Sequence, residues 1–209
     1  EGCFLVHSSQ VERKDDWYVS GLTGSGSCSI TATDQVVPSH RFLSMAALLA
    51  GATPGSDVHE GWNQRWAPMP ALALALTGPA LGIARQALDD FPGQMRSKTN
   101  VYEHPLTHMQ VGHAAMLLRE AELILYGCAD ELDNAARAGR RLELETRARM
   151  RLDCATGVHR CLESVEILFH ASGASGVRLS SPLTREVADL RTISQHDVLM
   201  LEANQELYG

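Results

Sequence analysis

The chain is poor in aromatic residues, which make up only 5% of its 209 positions, and it lacks any excess of positive charge. Its 18 Lys and Arg stand against 25 Asp and Glu, a formal net charge of −7. Phosphate backbones and anionic membranes select basic surfaces, so nucleic acid and membrane are not the expected partners. Cysteine pairs are also missing. Cys3, Cys28, Cys128, Cys154 and Cys161 are odd in number and form no C-x-x-C, which speaks for free buried thiols in a reducing cytoplasm rather than a disulfide framework or a zinc site. No signal-peptide pattern and no initiator Met open the chain at Glu1, so a processed or partial chain is expected. The run from Ala67 to Ala84 carries no charge, but it holds Pro68, Pro70 and Pro79 and is short for a bilayer crossing. A helix buried on all sides of a bundle is the better expectation.

What is present describes an ordinary globular protein of one to two domains, 44% hydrophobic and 21% charged. Strand and turn signals fill the first forty residues: Phe4 to Val6, Trp17 to Val19, Ser29 to Thr33 and Gln35 to Val37, with a Gly/Ser-rich stretch between Ser20 and Ser27. So few short strands cannot cover both faces of a sheet, and they read as the tail of a β-domain. Residues 46–66 are a transition containing Trp62 and Trp66, either of which could line a pocket or pack in the core.

Beyond it the periodicity predicts four long helices. The first spans about Met69 to Asp90 and closes at Phe91-Pro92-Gly93; the second runs from Pro105 to about Arg137. The third runs from about Leu142 to Ser172, with Ala148, Leu152, Ala155, Val158, Leu162, Val165 and Phe169 on one face; the fourth runs from Pro182 to about Glu206. Four such helices joined by short connections imply a mainly α fold, an antiparallel four-helix bundle. The domain boundaries expected are 1–45 for the strands, 46–66 for the connection and 67–209 for the bundle.

Several chemistries lack their motifs. The stretch from Gly21 to Ser27 has neither the Lys of a P-loop nor the third glycine of a dinucleotide fingerprint, and nothing completes G-x-S-x-G. His104, His108 and His113 have no carboxylate at metal-ligand spacing, and Pro105 puts His104 at a helix cap, so no metal is expected. Arg147, Arg149 and Arg151 alternate with apolar residues as a solvated face would; Arg147 and Arg151, one turn apart, could meet an anion. Between the third and fourth helices, Gly173-Ala174-Ser175-Gly176 offers small residues and uncovered amides. Such a turn suits a phosphate, and it also suits a plain helix C-cap. His196, next to Asp197, falls within the expected fourth helix, where a core histidine is the bland alternative.

Three segments together resemble the acyl-CoA dehydrogenase superfamily, and within it the reduced-flavin-dependent two-component monooxygenases. Asp16 to Ser27 followed by Asp34 to Arg41 is similar to D-W-x-V-x-G-L-x-G-T-G-S and D-x-x-V-P-x-H-R; Phe169 to Gly176 matches a small-residue turn beside the flavin; Pro182-Leu183, Arg185, Asp189-Leu190 and His196 resemble P-L-Q-R, R-D-L and H. Ala188 and Thr23 depart from the pattern, each standing where a basic residue is usual. The resemblance implies a C-terminal bundle preceded by a remnant of a β-barrel domain, the chain beginning inside that barrel. It implies an oxygenase component that takes reduced FMN or FAD from a flavin reductase and hydroxylates a small aromatic or natural-product substrate through a C4a-(hydro)peroxyflavin, as a homotetramer. By the same resemblance Arg96 and Lys98 would meet the flavin phosphates, Gly173, Ala174, Ser175 and Gly176 would offer amides to it, and His196 would face its reactive ring as the catalytic residue. Asp197 falls near the catalytic carboxylate of acyl-CoA dehydrogenases, which keeps dehydrogenation as an alternative. A non-catalytic helical assembly domain is another.

Overall fold

The structure is a computed structural model that describes residues 1–51, 54–96 and 103–209. Two small antiparallel ladders open the chain. Strand β1 (Gly2–Phe4) pairs with β4 (Phe42–Ser44) in the register Gly2 to Ser44, and β2 (Glu12–Arg13) pairs with β3 (Ile30–Thr31). Phe4 and Phe42 stack across the first ladder with centroids 4.8 Å apart. Two of the expected strands do not form. Trp17 to Val19 is irregular because the Trp17 indole turns to hydrogen-bond Leu22, and Gln35 to Val37 leaves Val36 fully in solvent.

The remainder is helical: α1 (Met45–Leu49), α2 (Pro68–Met95), α3 (Pro105–Arg137), α4 (Leu144–Ala171), α5 (Pro182–Ser194) and α6 (Leu201–Tyr208). Proline opens α2, α3 and α5, where a missing N–H costs nothing. Helix α2 continues through Phe91-Pro92-Gly93 instead of closing there. Phe91 and Met95, one turn apart and both buried, hold its last turns against the bundle, and the Arg96 amide bonds the Pro92 carbonyl. The helix is long and apolar enough to cross a membrane by length and composition. Yet it is not buried on all sides, as the sequence suggested: Ala73, Ala80, Ala84 and Ala87 face the core while Leu72 stays 45% exposed.

Helix α4 is the centre of the bundle, packing against α2, α3, α5 and α6. Met150, Cys154, Val158, Cys161, Val165 and Leu168 are fully buried along it. Each of the Met, Val and Leu side chains among them contributes roughly 1.5–3 kcal/mol of hydrophobic stabilisation. The α3–α4 pair is antiparallel, as its cross-links show: Ser164 Oγ donates to the Ala114 carbonyl, Arg160 meets Glu120, and Arg149 meets Glu131, the α3 partners rising in number as those on α4 fall. Gly157 permits this closeness, since a Cβ there would sit 2.7 Å from Leu125. Between α2 and α3, Arg85 bridges to Glu122 and Tyr126. The arginine triplet on α4 is therefore no uniformly solvated face. Arg149 is paired to Glu131 and Asp153, and Arg147 and Arg151 are half-buried.

The fourth rod of the bundle is broken. Helix α5 ends at Ser194, residues 195–200 form a turn, and α6 starts a new helix, so the uninterrupted helix to Glu206 expected from the pattern is corrected. Asn204, fully buried, holds the break by donating from Nδ2 to the carbonyls of Val198 and Met200.

Candidate functional site

The most specific sequence motif turns out to be a loop docked on α5. Asp16 closes it by accepting the Ser29 amide at 2.9 Å, and the Ser29 hydroxyl first, with that amide second, holds the Asp16 carboxyl below its ordinary range. The Trp17 indole donates to the Leu22 carbonyl at 3.1 Å. Gly21 then lies against α5 so closely that a Cβ would meet the Ala188 carbonyl at 2.1 Å. Its neighbour Leu22 takes a left-handed φ of 52° and donates its amide to Asp189 Oδ1 at 2.6 Å. Every residue of this chain of contacts has a geometric duty. The Ala188 departure leaves the contact intact, because Gly21 meets a carbonyl that any residue at 188 supplies.

Half a helix further on, His196 stands exposed in the α5–α6 turn rather than inside a helix, with Asp197 exposed beside it. Val198 N–H donates to His196 Nδ1 over a long 3.4 Å. An accepting Nδ1 favours the tautomer with its proton on Nε2. Asn204 fixes the same turn from beneath. Pattern reading missed it, since one buried Asn in an amphipathic helix carries no distinguishing spacing.

The turn after α4 is a 3-10 turn, Gly173–Ser175, stitched to its surroundings. Ser172 Oγ donates to the Phe169 carbonyl at 2.6 Å, Ser175 Oγ to that of Ser172, and Thr184 Oγ1 to those of Gly176 and Arg178. Gly176 N–H is already bonded to the Gly173 carbonyl, so it is not an outward-facing amide, and Gly176 is buried. Gly173 and Ala174 are exposed, and Gly173 has φ +64° with open space where a Cβ would be. Gly173 and Ala174 are thus the most open part of this turn, Ser175 is half-buried, and Gly176 is the one whose amide is taken.

Arg96 is exposed just beyond α2. Its place follows from helix direction: Met69 and Pro70 at the start of α2 line the same cavity as Arg147 and Arg151 at the start of α4, so the two helices run parallel and both finish at the same end. Asp90 acts electrostatically on Glu186 near the start of α5, which places the last turns of α2 beside that helix too. Arg96 and the Gly173 turn therefore share one end of the bundle. His196 lies one α5 length away, about 20 Å at 1.5 Å per residue. Lys98 lies outside the described residues. His104, weighed as a metal ligand, caps α3 by accepting the Leu106 amide through Nδ1. Trp62 and Trp66 are 42% and 39% exposed, so neither is core: Trp62 donates to Asp133 and lies under the Arg137 guanidinium.

The chain is similar to known flavoproteins over nearly its whole length. It is 29% identical to the flavin-dependent monooxygenase oxygenase subunit HsaA of Mycobacterium tuberculosis over 88% of this chain and 48% of that protein. It is 29% identical to the oxygenase component of the FADH(2)-dependent resorcinol hydroxylase of Rhizobium sp., over 98% of this chain and 54% of that one. The crystal structure of the Mycobacterium tuberculosis HsaA monooxygenase superposes with a TM-score of 0.91 at 28% identity, covering 100% of this chain and 56% of that one. XiaF from Streptomyces sp., solved with FADH2 and glycerol, gives 0.88 at 26% identity, covering 99% and 54%. The chain thus spans about half the length of the relatives it matches. The family model for the acyl-CoA dehydrogenase C-terminal domain matches residues 74–200, from within α2 to the α5–α6 turn, and the chain belongs to that family.

Proposed function

We propose that this chain is the C-terminal part of the oxygenase component of a flavin-dependent monooxygenase, which hydroxylates a small aromatic or natural-product substrate with reduced flavin delivered by a separate reductase. The observation that carries the reading is the docked loop from Asp16 to Ser29, whose Leu22–Asp189 contact lies within two turns of the exposed His196. Similarity to oxygenase components over nearly the whole chain supports it.

The residues present suit a flavin. Gly173 leaves open space where a side chain would be, Ala174 beside it is exposed, and the Arg96 cation lies at the same end of the bundle, where a phosphate could be met. Bound reduced flavin would supply the activation of molecular oxygen. The chain's own part is positional and protonic. His196, with Nδ1 accepting from Val198, is arranged to donate from Nε2 to an oxygen atom. Asn204 keeps that imidazole in place. The separation of about 20 Å between His196 and the Gly173 turn suits an elongated cofactor or one shared with a second copy of the chain. A homotetramer is part of the proposal, and exposed Leu106, Met109, Met116 and Leu123, spaced along α3, give it an apolar surface to bury. Cytoplasmic location belongs to the same reading, since reduced flavin must pass from a reductase.

The test mixes the full-length protein with reduced flavin, oxygen and a panel of phenols, and measures hydroxylated product against hydrogen peroxide. Product formation that collapses to peroxide in His196→Asn is expected. Reduction of oxidised flavin by an acyl-CoA, lost in Asp197→Asn, would instead establish the dehydrogenase.

A further inference from the structure

The opposite end of the bundle carries a second cluster that the flavin reading leaves unused. An open cavity of about 820 Å³ lies between the start of α2, the start of α4 and the end of α6. Arg141, Arg147 and Arg151 line it together with Met69, Leu144 and Tyr208. None of these three arginines has an ion-pair partner among the described residues, whereas Arg149, one position from the wall on the same helix, has two. The Nε atoms of Arg147 and Arg151 are buried without a hydrogen bond, and the one bond recorded for Arg147 is a 3.4 Å contact from Nη1 to the Leu49 carbonyl. Glu145 also lines the cavity, and against the three arginines it leaves positive charge in excess.

This arrangement is costly if nothing binds there. A buried guanidinium N–H without an acceptor loses its hydration and gains nothing in return. Arg147 is the fourth residue of α4, where the partial positive charge of the helix N-terminus opposes a cation and favours an anion. The helix has no side-chain cap either, since Glu143 makes no capping bond. All of this stands in a protein whose net charge is −7, so the basic cluster is no reflection of bulk composition.

We infer that this cavity binds a small organic anion whose carboxylate or phosphate oxygens meet Arg147 and Arg151 and whose apolar body lies against Met69, Leu144 and Tyr208. Arg151 and Arg147 stand one helical turn apart on one face, a spacing at which two forks engage one oxyanion. The apolar wall distinguishes such a ligand from inorganic phosphate. The site is separated from the Gly173 turn by the whole length of α4, about 40 Å, so it stands or falls independently of the flavin reading.

Isothermal titration of the purified protein with phenyl phosphate, benzoate and inorganic phosphate tests the assignment. Saturable one-to-one binding of phenyl phosphate or benzoate is expected, tighter than that of inorganic phosphate and weakening with salt. Arg151→Gln should weaken it about tenfold or more, the scale of one charge-assisted hydrogen bond. Arg141→Gln, on an exposed loop, should do so without touching the packed helix, and Arg85→Gln, outside the cavity, should bind as the parent does. Absence of saturable binding, equal affinity for inorganic phosphate, or undiminished affinity in both cavity variants would overturn it.

Discussion

The amide of Leu22 donates to Asp189 Oδ1 at 2.6 Å across 167 positions of sequence. This bond joins the N-terminal loop to the fourth rod of the bundle, and it holds Leu22 in a left-handed backbone conformation that a branched residue rarely adopts unaided. Gly21 seals the contact by having no side chain. The loop and the helix thus form one rigid neighbourhood close to His196, and its components can be removed singly.

Asp189→Ala removes the acceptor and leaves the Leu22 amide without its partner. A loss of about 1–3 kcal/mol is expected, with hydrogen exchange at Leu22 accelerating while the core of α4 stays protected. Gly21→Ala should be worse, because its Cβ meets backbone at 2.1 Å and backbone does not move aside. A Gly21→Ala protein with parental melting temperature and parental exchange at Leu22 would refute the docking.

Asn204→Leu preserves burial but deletes the donors to Val198 and Met200. The turn carrying His196 should loosen, with a cost of about 1–3 kcal/mol from the lost bond to the Val198 carbonyl, while the Met200 carbonyl keeps the backbone N–H of residue 204. In the oxygenase assay the variant should release more hydrogen peroxide per product formed even at temperatures where it is fully folded. An unchanged product-to-peroxide ratio in folded protein would deny Asn204 any positioning role.

Glu186 is buried, its Oε2 has no partner, and burial raises its carboxyl above the ordinary range against the smaller lowering effect of Arg185. Folding therefore favours the protonated acid, and the native state binds more protons than the unfolded chain. Stability is lost as pH rises through the raised folded value, and the penalty is complete above it. Glu186→Gln should stabilise the protein near pH 8 by about 1 kcal/mol, a few degrees in melting temperature, and give no gain below pH about 4. Equal gains at both pH values would contradict a charge-dependent cost.

The five thiols should divide by environment. Burial pushes Cys161 up to about 12, and Cys154 is raised by its contact with Cys128 and by burial. Thiolates at those sites are scarce at pH 8, so iodoacetamide on native protein should modify exposed Cys3 first and leave Cys154 and Cys161 untouched until unfolding. Mass spectrometry of the labelled peptides reads this directly. Early modification of Cys161 would show that the core opens.

Much of the bundle was legible because its evidence is local. The proline starts of α3 and α5 and the three- and four-residue spacing along α4 are written in consecutive residues, and they yielded α3 and α4 to within a few positions. The resemblance of the Asp16–Ser27 segment was legible as well, but its physical meaning was not. That Gly21 must be small because Ala188 lies above it is a relation between distant positions.

The sequence by itself determined where the long helices lie, in large part which faces are apolar, and that few strands precede them, since propensity and periodicity act over one or two turns. Only the tertiary structure decided where α2 ends, that the fourth rod breaks at His196, and which of the glycines after α4 stays open. Those outcomes depend on partners brought together by packing: Phe91 and Met95 against the core, Asn204 beneath the turn, Thr184 holding the Gly176 carbonyl. The same packing separated Arg149 from its neighbours. Asp153, one turn on, is a partner for Arg149 that consecutive residues already offer, but Glu131 on α3 reaches it only through packing, and Arg147 and Arg151 are left lining a cavity.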